Sequence, residues 1–203
     1  MKHPTYQELV FKLAWEFTTV LPGSFERDRK AVAGRKYPII APLPNNARNT
    51  LPIENRLARG PYLYSIYTQD GEIKYIGKAS DETVLMRWIR PDKSRTKYYW
   101  THGTTSAKAV STVEKIAEEI SNSNGPVRLY FANYFELFPL VQQHCQVCSV
   151  DTSGIDAMQH DEFIKELEHY MIYTLQPLWN IQNKKKPPTS SIMQCGDYWN
   201  AYF

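Results

Sequence analysis

Two tyrosines, Tyr64 and Tyr75, stand eleven positions apart across Gln69-Asp70-Gly71, and Ile76-Gly77-Lys78-Ala79 follows the second. Runs rich in Tyr and Ile on either side of an Asp-Gly turn predict a hairpin, so the two phenols fall on neighbouring strands. Far along the chain, Glu168 has Ile164 and Ile172 four residues to either side and therefore borders an apolar helical stripe. Glu166 has Glu162 and Tyr170 at the same offsets and reads as solvated. A carboxylate beside a core is costly unless partnered. Its partner is either a strand arginine or a divalent cation such as Mg²⁺, which takes oxygen ligands from one carboxylate, waters and phosphate. His144, Cys145, Cys148 and the distant Cys195 raise zinc as a further chemistry, but one Cys-x-x-Cys is a thin ligand set, and free or buried thiols are the favoured reading.

The elements that must position these residues follow from periodicity. Thr5 and Glu8 suit a capping box, and Tyr6, Leu9, Val10, Leu13, Phe17 and Leu21 keep helical spacing until Pro22-Gly23, which predicts an N-terminal helix. Residues 24–59 hold four prolines and read as an irregular basic arm. Strands are expected at 61–68 and 72–78, and a short helix at 83–89 stopped by Pro91. A longer helix is expected from about Thr105 to Ser121, ended by Asn-Ser-Asn-Gly-Pro. Val127, Leu129 and Phe131 alternate as a third strand, residues 141–158 read as a loop or poorly defined insertion, and a last helix covers roughly His160–Leu175. Lys184-Lys185-Lys186-Pro187-Pro188 reads as the start of a mobile basic tail.

The chain has 203 residues, 42% of them hydrophobic, enough for one domain with an elaboration. Three cysteines, an odd number, argue against a secreted disulfide framework. The N-terminal segment is interrupted by Glu8, Lys12 and Glu16, which fits neither a signal peptide nor an anchor. These features make a soluble, cytoplasmic protein the expectation. The formal charge of +3 is unevenly spread. Residues 24–60 carry eight basic against three acidic residues, and residues 87–108 six against one, with Tyr98, Tyr99 and Trp100 interleaved. Charge alone reads as two solvated loops; the segregation fits a polyanion partner.

Tyr62-Leu63-Tyr64, Tyr75-Ile76-Gly77, an arginine, a lysine in Ser106-Ala107-Lys108, the helix Glu168-His169-Tyr170-Met171-Ile172 and the turn Pro177-Leu178-Trp179-Asn180 occur in an order that resembles the GIY-YIG nucleases. The resemblance covers about residues 61–183. It implies an α/β (α+β) fold with a small three-stranded antiparallel sheet flanked by helices, here preceded by the N-terminal helix and arm of residues 1–60 and followed by a tail at 184–203. It also implies a site in which Tyr64 activates water and Tyr75 assists or holds phosphate. Glu168 would bind Mg²⁺ or Mn²⁺, Arg87 would contact the scissile phosphate, Lys108 a phosphate oxygen or water, and Asn180 would orient its neighbours. Gly77 suits a strand end that substrate backbone approaches closely. Tyr62 replaces the first motif's glycine, and Arg87 lies ten residues after Gly77, two further than in many members, so Arg90 stays a rival. Pro91 stands where some members carry histidine, and His102 is the nearby alternative.

The function implied is metal-dependent hydrolysis of double-stranded DNA, of restriction or phage host-DNA-degrading type, with a homodimer or homotetramer as the expected assembly. Expected DNA contacts are Arg27, Arg29, Lys30, Arg35 and Lys36 in the arm, with Lys78 and Arg90. The competing class is a nucleic-acid-binding module that does not cleave, and a zinc-regulatory protein built on the cysteines ranks last.

Overall fold

A computed structural model describes residues 11–26, 36–41, 59–91, 98–100, 111–123, 125–147 and 149–188. Its main sheet has four antiparallel strands in the order β1 (Lys12–Phe17), β8 (Val127–Asn133), β4 (Tyr62–Tyr67) and β5 (Ile73–Ala79). Two further ribbons pair β2 (Val20–Glu26) with β3 (Lys36–Ile40), and β6 (Ile89–Pro91) with β7 (Tyr98–Trp100). The helices are α1 (Val84–Trp88), α2 (Thr112–Ser123), α3 (Tyr134–Val147), α4 (Ser153–Asp156) and α5 (His160–Leu175). The class is α+β, as expected.

All six residues of β4 are buried, because both faces of this central strand are covered. On one face Tyr62, Tyr64 and Ile66 pack with Trp15, Trp88, Trp100 and Ile116. On the other, Leu63 and Ile76 meet Phe163, Ile164, Leu167 and Met171 of α5. The hairpin β4–β5, the strand at 127–131 and the helix His160–Leu175 stand where the sequence places them.

Five expectations are corrected. The predicted N-terminal helix gives way, over its described part, to β1 and β2; the proposed cap at Thr5 and Glu8 lies outside the described residues. Trp15 and Phe17 also satisfy a period of two, and pairing with β8 buries both while Glu16 stays at the surface beside Arg128. This pairing makes the sheet four-stranded rather than three-stranded. The arm is not wholly irregular either, since 36–40 forms β3 despite Pro38, and Trp100 Nε1 donates to the Ile40 carbonyl at 3.3 Å. Residues 141–158 are not loop throughout, since 141–147 and 153–156 are helical. Asn133 and Glu136 cap α3 reciprocally, each backbone N–H meeting the other's side chain at 3.1 Å, and the helix continues past Pro139 to Val147, with α4 beyond. Lastly, the tail is tied down as far as Pro188: His169 Nε2 lies 2.7 Å from the Lys186 carbonyl, and Gln176 Nε2 donates to the Lys184 carbonyl at 3.0 Å.

Among the described residues the middle helix starts at Thr112; its expected start at Thr105 lies outside them. Ser111 and Glu114 form a capping box, with Ser111 N–H to Glu114 at 2.6 Å and Glu114 N–H to Ser111 Oγ at 3.2 Å.

β5 ends the sheet, so its outer backbone groups have no strand beside them. The turn after α5 occupies them instead. Trp179 N–H donates to the Lys74 carbonyl at 2.8 Å. The Asn180 amide then grips Ile76 on both sides, accepting from its N–H at 2.9 Å and donating to its carbonyl at 2.8 Å. Asn180 is itself buried, so an Asn180→Ala substitution strands two polar groups of Ile76. It should cost about 2–4 kcal/mol of stability, read from denaturant unfolding; a change under about 0.5 kcal/mol would show that water replaces the amide at this edge.

Candidate active site

Tyr64 on β4 stands directly opposite Gly77 on β5 in the strand register. The phenol lies across the glycine: a Cβ added to Gly77 would meet Tyr64 Oη at 2.4 Å. The glycine of Tyr-Ile-Gly is therefore required by a side chain of the neighbouring strand, which is a different close approach from the substrate contact expected from sequence. The Tyr64 and Tyr75 rings stack with centroids 6.1 Å apart, and the Trp88 ring meets Tyr64 edge-on at 5.4 Å.

Trp88 anchors α1 in the core, and its neighbour Arg87 is thereby turned toward the phenols. The Arg87 guanidinium donates a hydrogen bond to the Tyr64 oxygen and lies 3.8 Å from Glu82. Tyr64 and Tyr75 are hydrogen-bonded to each other. Glu168 arrives from α5, where its carboxylate accepts the Lys78 backbone N–H, a fourth group on the outer side of β5. Tyr64, Tyr75, Arg87 and Glu168 thus share one electrostatic environment, and Asn180 locks the strand that carries Tyr75 and Gly77.

Burial dominates the proton affinities. It pushes the Tyr64 phenol well above its usual range, Tyr75 and Glu168 adding to the shift and Arg87 opposing it. Tyr75 is raised by burial and by Glu168, with Tyr64 and Arg87 opposing. Glu168 is pushed up to about 7 by burial, against the charges of Lys78 and Arg87 and the Lys78 N–H. Burial would weaken the Arg87 cation, but Tyr64, Glu82 and Tyr62 outweigh it, so Arg87 holds its proton more firmly than usual. Both phenols are protonated near neutrality in this environment, and a phenolate there needs added positive charge.

The donor set bears on a metal. No group of three or more His, Cys, Asp or Glu able to hold an ion occurs among the described residues. One half-buried carboxylate with a proton affinity near neutrality fits a hard cation that completes its shell with water and phosphate oxygens. It does not fit a cage made of protein ligands alone. Cys145 is buried; Cys148, Cys195 and the side chain of His144 lie outside the described residues.

Other predicted residues are placed differently. Lys78 forms an ion pair with Asp161 at 3.0 Å and bonds Ser80 at 3.3 Å. Arg90 lies on β6, where its backbone pairs with Tyr99. Lys36 is exposed at the start of β3. Arg27, Arg29, Lys30, Arg35, His102 and Lys108 lie outside the described residues. Three residues escaped sequence reasoning: Glu82 and Asp161, which act on Arg87 and Glu168, and Lys115, whose Nζ donates to the Trp179 carbonyl at 3.2 Å. The Ser111-x-x-Glu114 cap was the available signal for Lys115, because it starts the helix there. No protein-family model, curated protein or solved structure matches the chain, and no helix among the described residues is long and apolar enough to cross a membrane.

The Glu168 shift has a thermodynamic consequence. A carboxyl near 7 when folded and near 4.5 when unfolded binds more protons in the folded state between those values. Its stabilising contribution is complete below about 4.5 and is lost as pH rises through 7. In metal-free protein, Glu168→Gln should remove this dependence, gaining about 1–3 kcal/mol on the native protein between acid and alkaline buffers. Urea midpoints of both proteins at the two ends of that range test it; parallel curves would place Glu168 in a more solvated setting.

Proposed function

We propose that this chain is a metal-dependent DNA endonuclease with a GIY-YIG-type fold, hydrolysing phosphodiester bonds in double-stranded DNA. The observation that carries the reading is the convergence of Tyr64, Tyr75, Arg87 and Glu168 from β4, β5, α1 and α5. Separations of up to about a hundred residues in sequence collapse into one half-buried cluster. Buried structural networks rarely combine two phenols held protonated, a firmly held arginine and a carboxyl that titrates near neutrality.

Glu168 would hold Mg²⁺ or Mn²⁺, which when bound supplies positive charge toward the phosphate and the departing oxygen. Arg87 neutralises charge building on the phosphate as the water oxygen bonds to phosphorus and the bond to the leaving oxygen breaks. Tyr64 can take the water's proton only after losing its own, and the guanidinium at its oxygen is the chain's own feature favouring that loss. Tyr75 holds the Tyr64 hydroxyl or a phosphate oxygen, and the stacked rings keep bulk water from the pair. Asn180 acts at one remove, through Ile76. In this reading Lys108 assists at the phosphate, and the arm residues Arg27, Arg29, Lys30, Arg35 and Lys36 grip the DNA backbone.

A non-cleaving DNA-binding module is the second reading, and the ion pair of Arg87 with Glu82 favours it by compensating the charge that catalysis needs. Supercoiled plasmid incubated with Mg²⁺ or with EDTA separates the two. Metal-dependent nicked or linear product is expected, abolished by Glu168→Gln with duplex binding retained. Arg87→Ala should slow turnover by about two to three decades, and Arg90→Ala far less. Retardation of the plasmid in gels without cleavage under any divalent ion would establish the binding module, and the reverse order of the two arginines would promote Arg90.

A further inference from the structure

The segment after α5 contains Lys184, Lys185 and Lys186 and no acidic residue from 176 to 188. It is held to the domain at several points. Gln176, in a left-handed conformation at the end of α5, exchanges two hydrogen bonds with Lys184: its Nε2 donates to the Lys184 carbonyl at 3.0 Å, and its carbonyl accepts from Lys184 Nζ at 3.2 Å. The Lys186 carbonyl is held by His169, the neighbour of Glu168, at 2.7 Å. Lys115 of α2 reaches the Trp179 carbonyl at 3.2 Å, one residue before the asparagine that grips Ile76.

These contacts use peptide carbonyls, which leave the positive charge uncompensated. By contrast, five basic side chains of the main sheet and α1 are matched: Lys12 with Glu136, Lys74 with Glu72, Lys78 with Asp161, Arg87 with Glu82 and Arg128 with Glu16. Among the described residues Lys115, Lys184, Lys185 and Lys186 form no such ion pair. Burial lowers the proton affinity of Lys115, Glu118 on the same helix raises it, and the charge of Lys184 lowers it again, so two of these ammonium groups stand close enough to repel. A fixed group of like charges that no ion pair neutralises, with only Glu118 acting on Lys115 from the same helix, is relieved by a polyanion.

We propose that Lys115, Lys184, Lys185 and Lys186 form a fixed track for the phosphate backbone of duplex DNA beside the cluster of Tyr64, Tyr75, Arg87 and Glu168. The inference rests on the nuclease reading and extends it by naming the surface that carries the strand. The track is tied to Glu168 through His169 and to Tyr75 and Gly77 through Asn180, so the folded backbone sets its spacing from the site. A polymer with regularly spaced phosphates engages both at once. A lipid headgroup surface engages the lysines alone.

Lys185 and Lys186 are exposed and serve as the test, since replacing them leaves the anchoring carbonyls intact. The measurement is binding of a duplex of about 20 base pairs by Glu168→Gln protein at several salt concentrations, with and without Lys185→Glu and Lys186→Glu together. Losing two phosphate contacts should lower the slope of log K against log salt by about 1.8 and weaken binding most at low salt. Unchanged thermal midpoints would confirm that the variant folds. An unchanged salt slope in folded variant would overturn the track while leaving the nuclease reading intact, whereas a parent that binds no duplex at low salt would overturn both. Binding to phosphatidylserine vesicles that is lost in the variant, with duplex binding unaffected, would assign the lysines to a membrane surface and likewise overturn the proposal.

Discussion

The structure depends on the exposed edge of β5. A terminal strand presents backbone groups with no partner strand, and these must be satisfied by something else or left to water. Here four of them, on three alternate residues, are taken by residues far along the chain: Lys74 by Trp179, Ile76 on both sides by Asn180, and Lys78 by Glu168. Closing the edge and assembling the candidate site are therefore the same event. The strand carrying Tyr75 and Gly77 cannot be capped without bringing the glutamate helix and the asparagine turn to it.

The inner side of the same strand imposes a second constraint. Tyr64 fits only because Gly77 has no side chain, and the tyrosine is then confined by Trp88 and Tyr75. Trp88 also fixes α1 and with it Arg87. Removing these polar groups from water raises both phenols and Glu168, a cost met by the packing of two cores around β4. Glu168 sits where those cores meet at the sheet edge, close enough to Lys78 and Arg87 to be drawn toward its charged form and buried enough to resist it. A carboxyl balanced in this way responds strongly to any cation or phosphate that arrives.

Charge is distributed with the same economy. Most basic side chains on the sheet and α1 are matched by carboxylates, which pins elements together but leaves little net field. Unmatched positive charge gathers instead around the turn that closes β5. The part of the molecule that completes the edge thus also carries lysines that form no ion pair among the described residues.

How much of this was legible in the sequence differs by element. The β4–β5 hairpin, β8 and α5 were readable because turn chemistry and hydrophobic period agree there: Asp70-Gly71 sets the turn, and Phe163, Ile164, Leu167 and Met171 sit on one helical face. Glu168 announced itself as a carboxylate beside that face. The segment 11–21 was misread because Leu13, Phe17 and Leu21 fit a helical repeat while Trp15 and Phe17 fit a strand, and only the unpaired side of β8 decides between them. The course of 141–158 and of the lysine tail likewise rests on contacts with α5 and on caps that local composition states weakly. Residue types and their order were enough to nominate Tyr64, Tyr75, Glu168 and Asn180. That Gly77 makes room for a tyrosine, that Asn180 grips Ile76 across 104 positions, and that Lys78 is engaged with Asp161 were decided by tertiary structure alone. Each of these depends on which backbone group or side chain is brought within hydrogen-bond or van der Waals reach, and short-range periodicity carries no information about partners a hundred residues away.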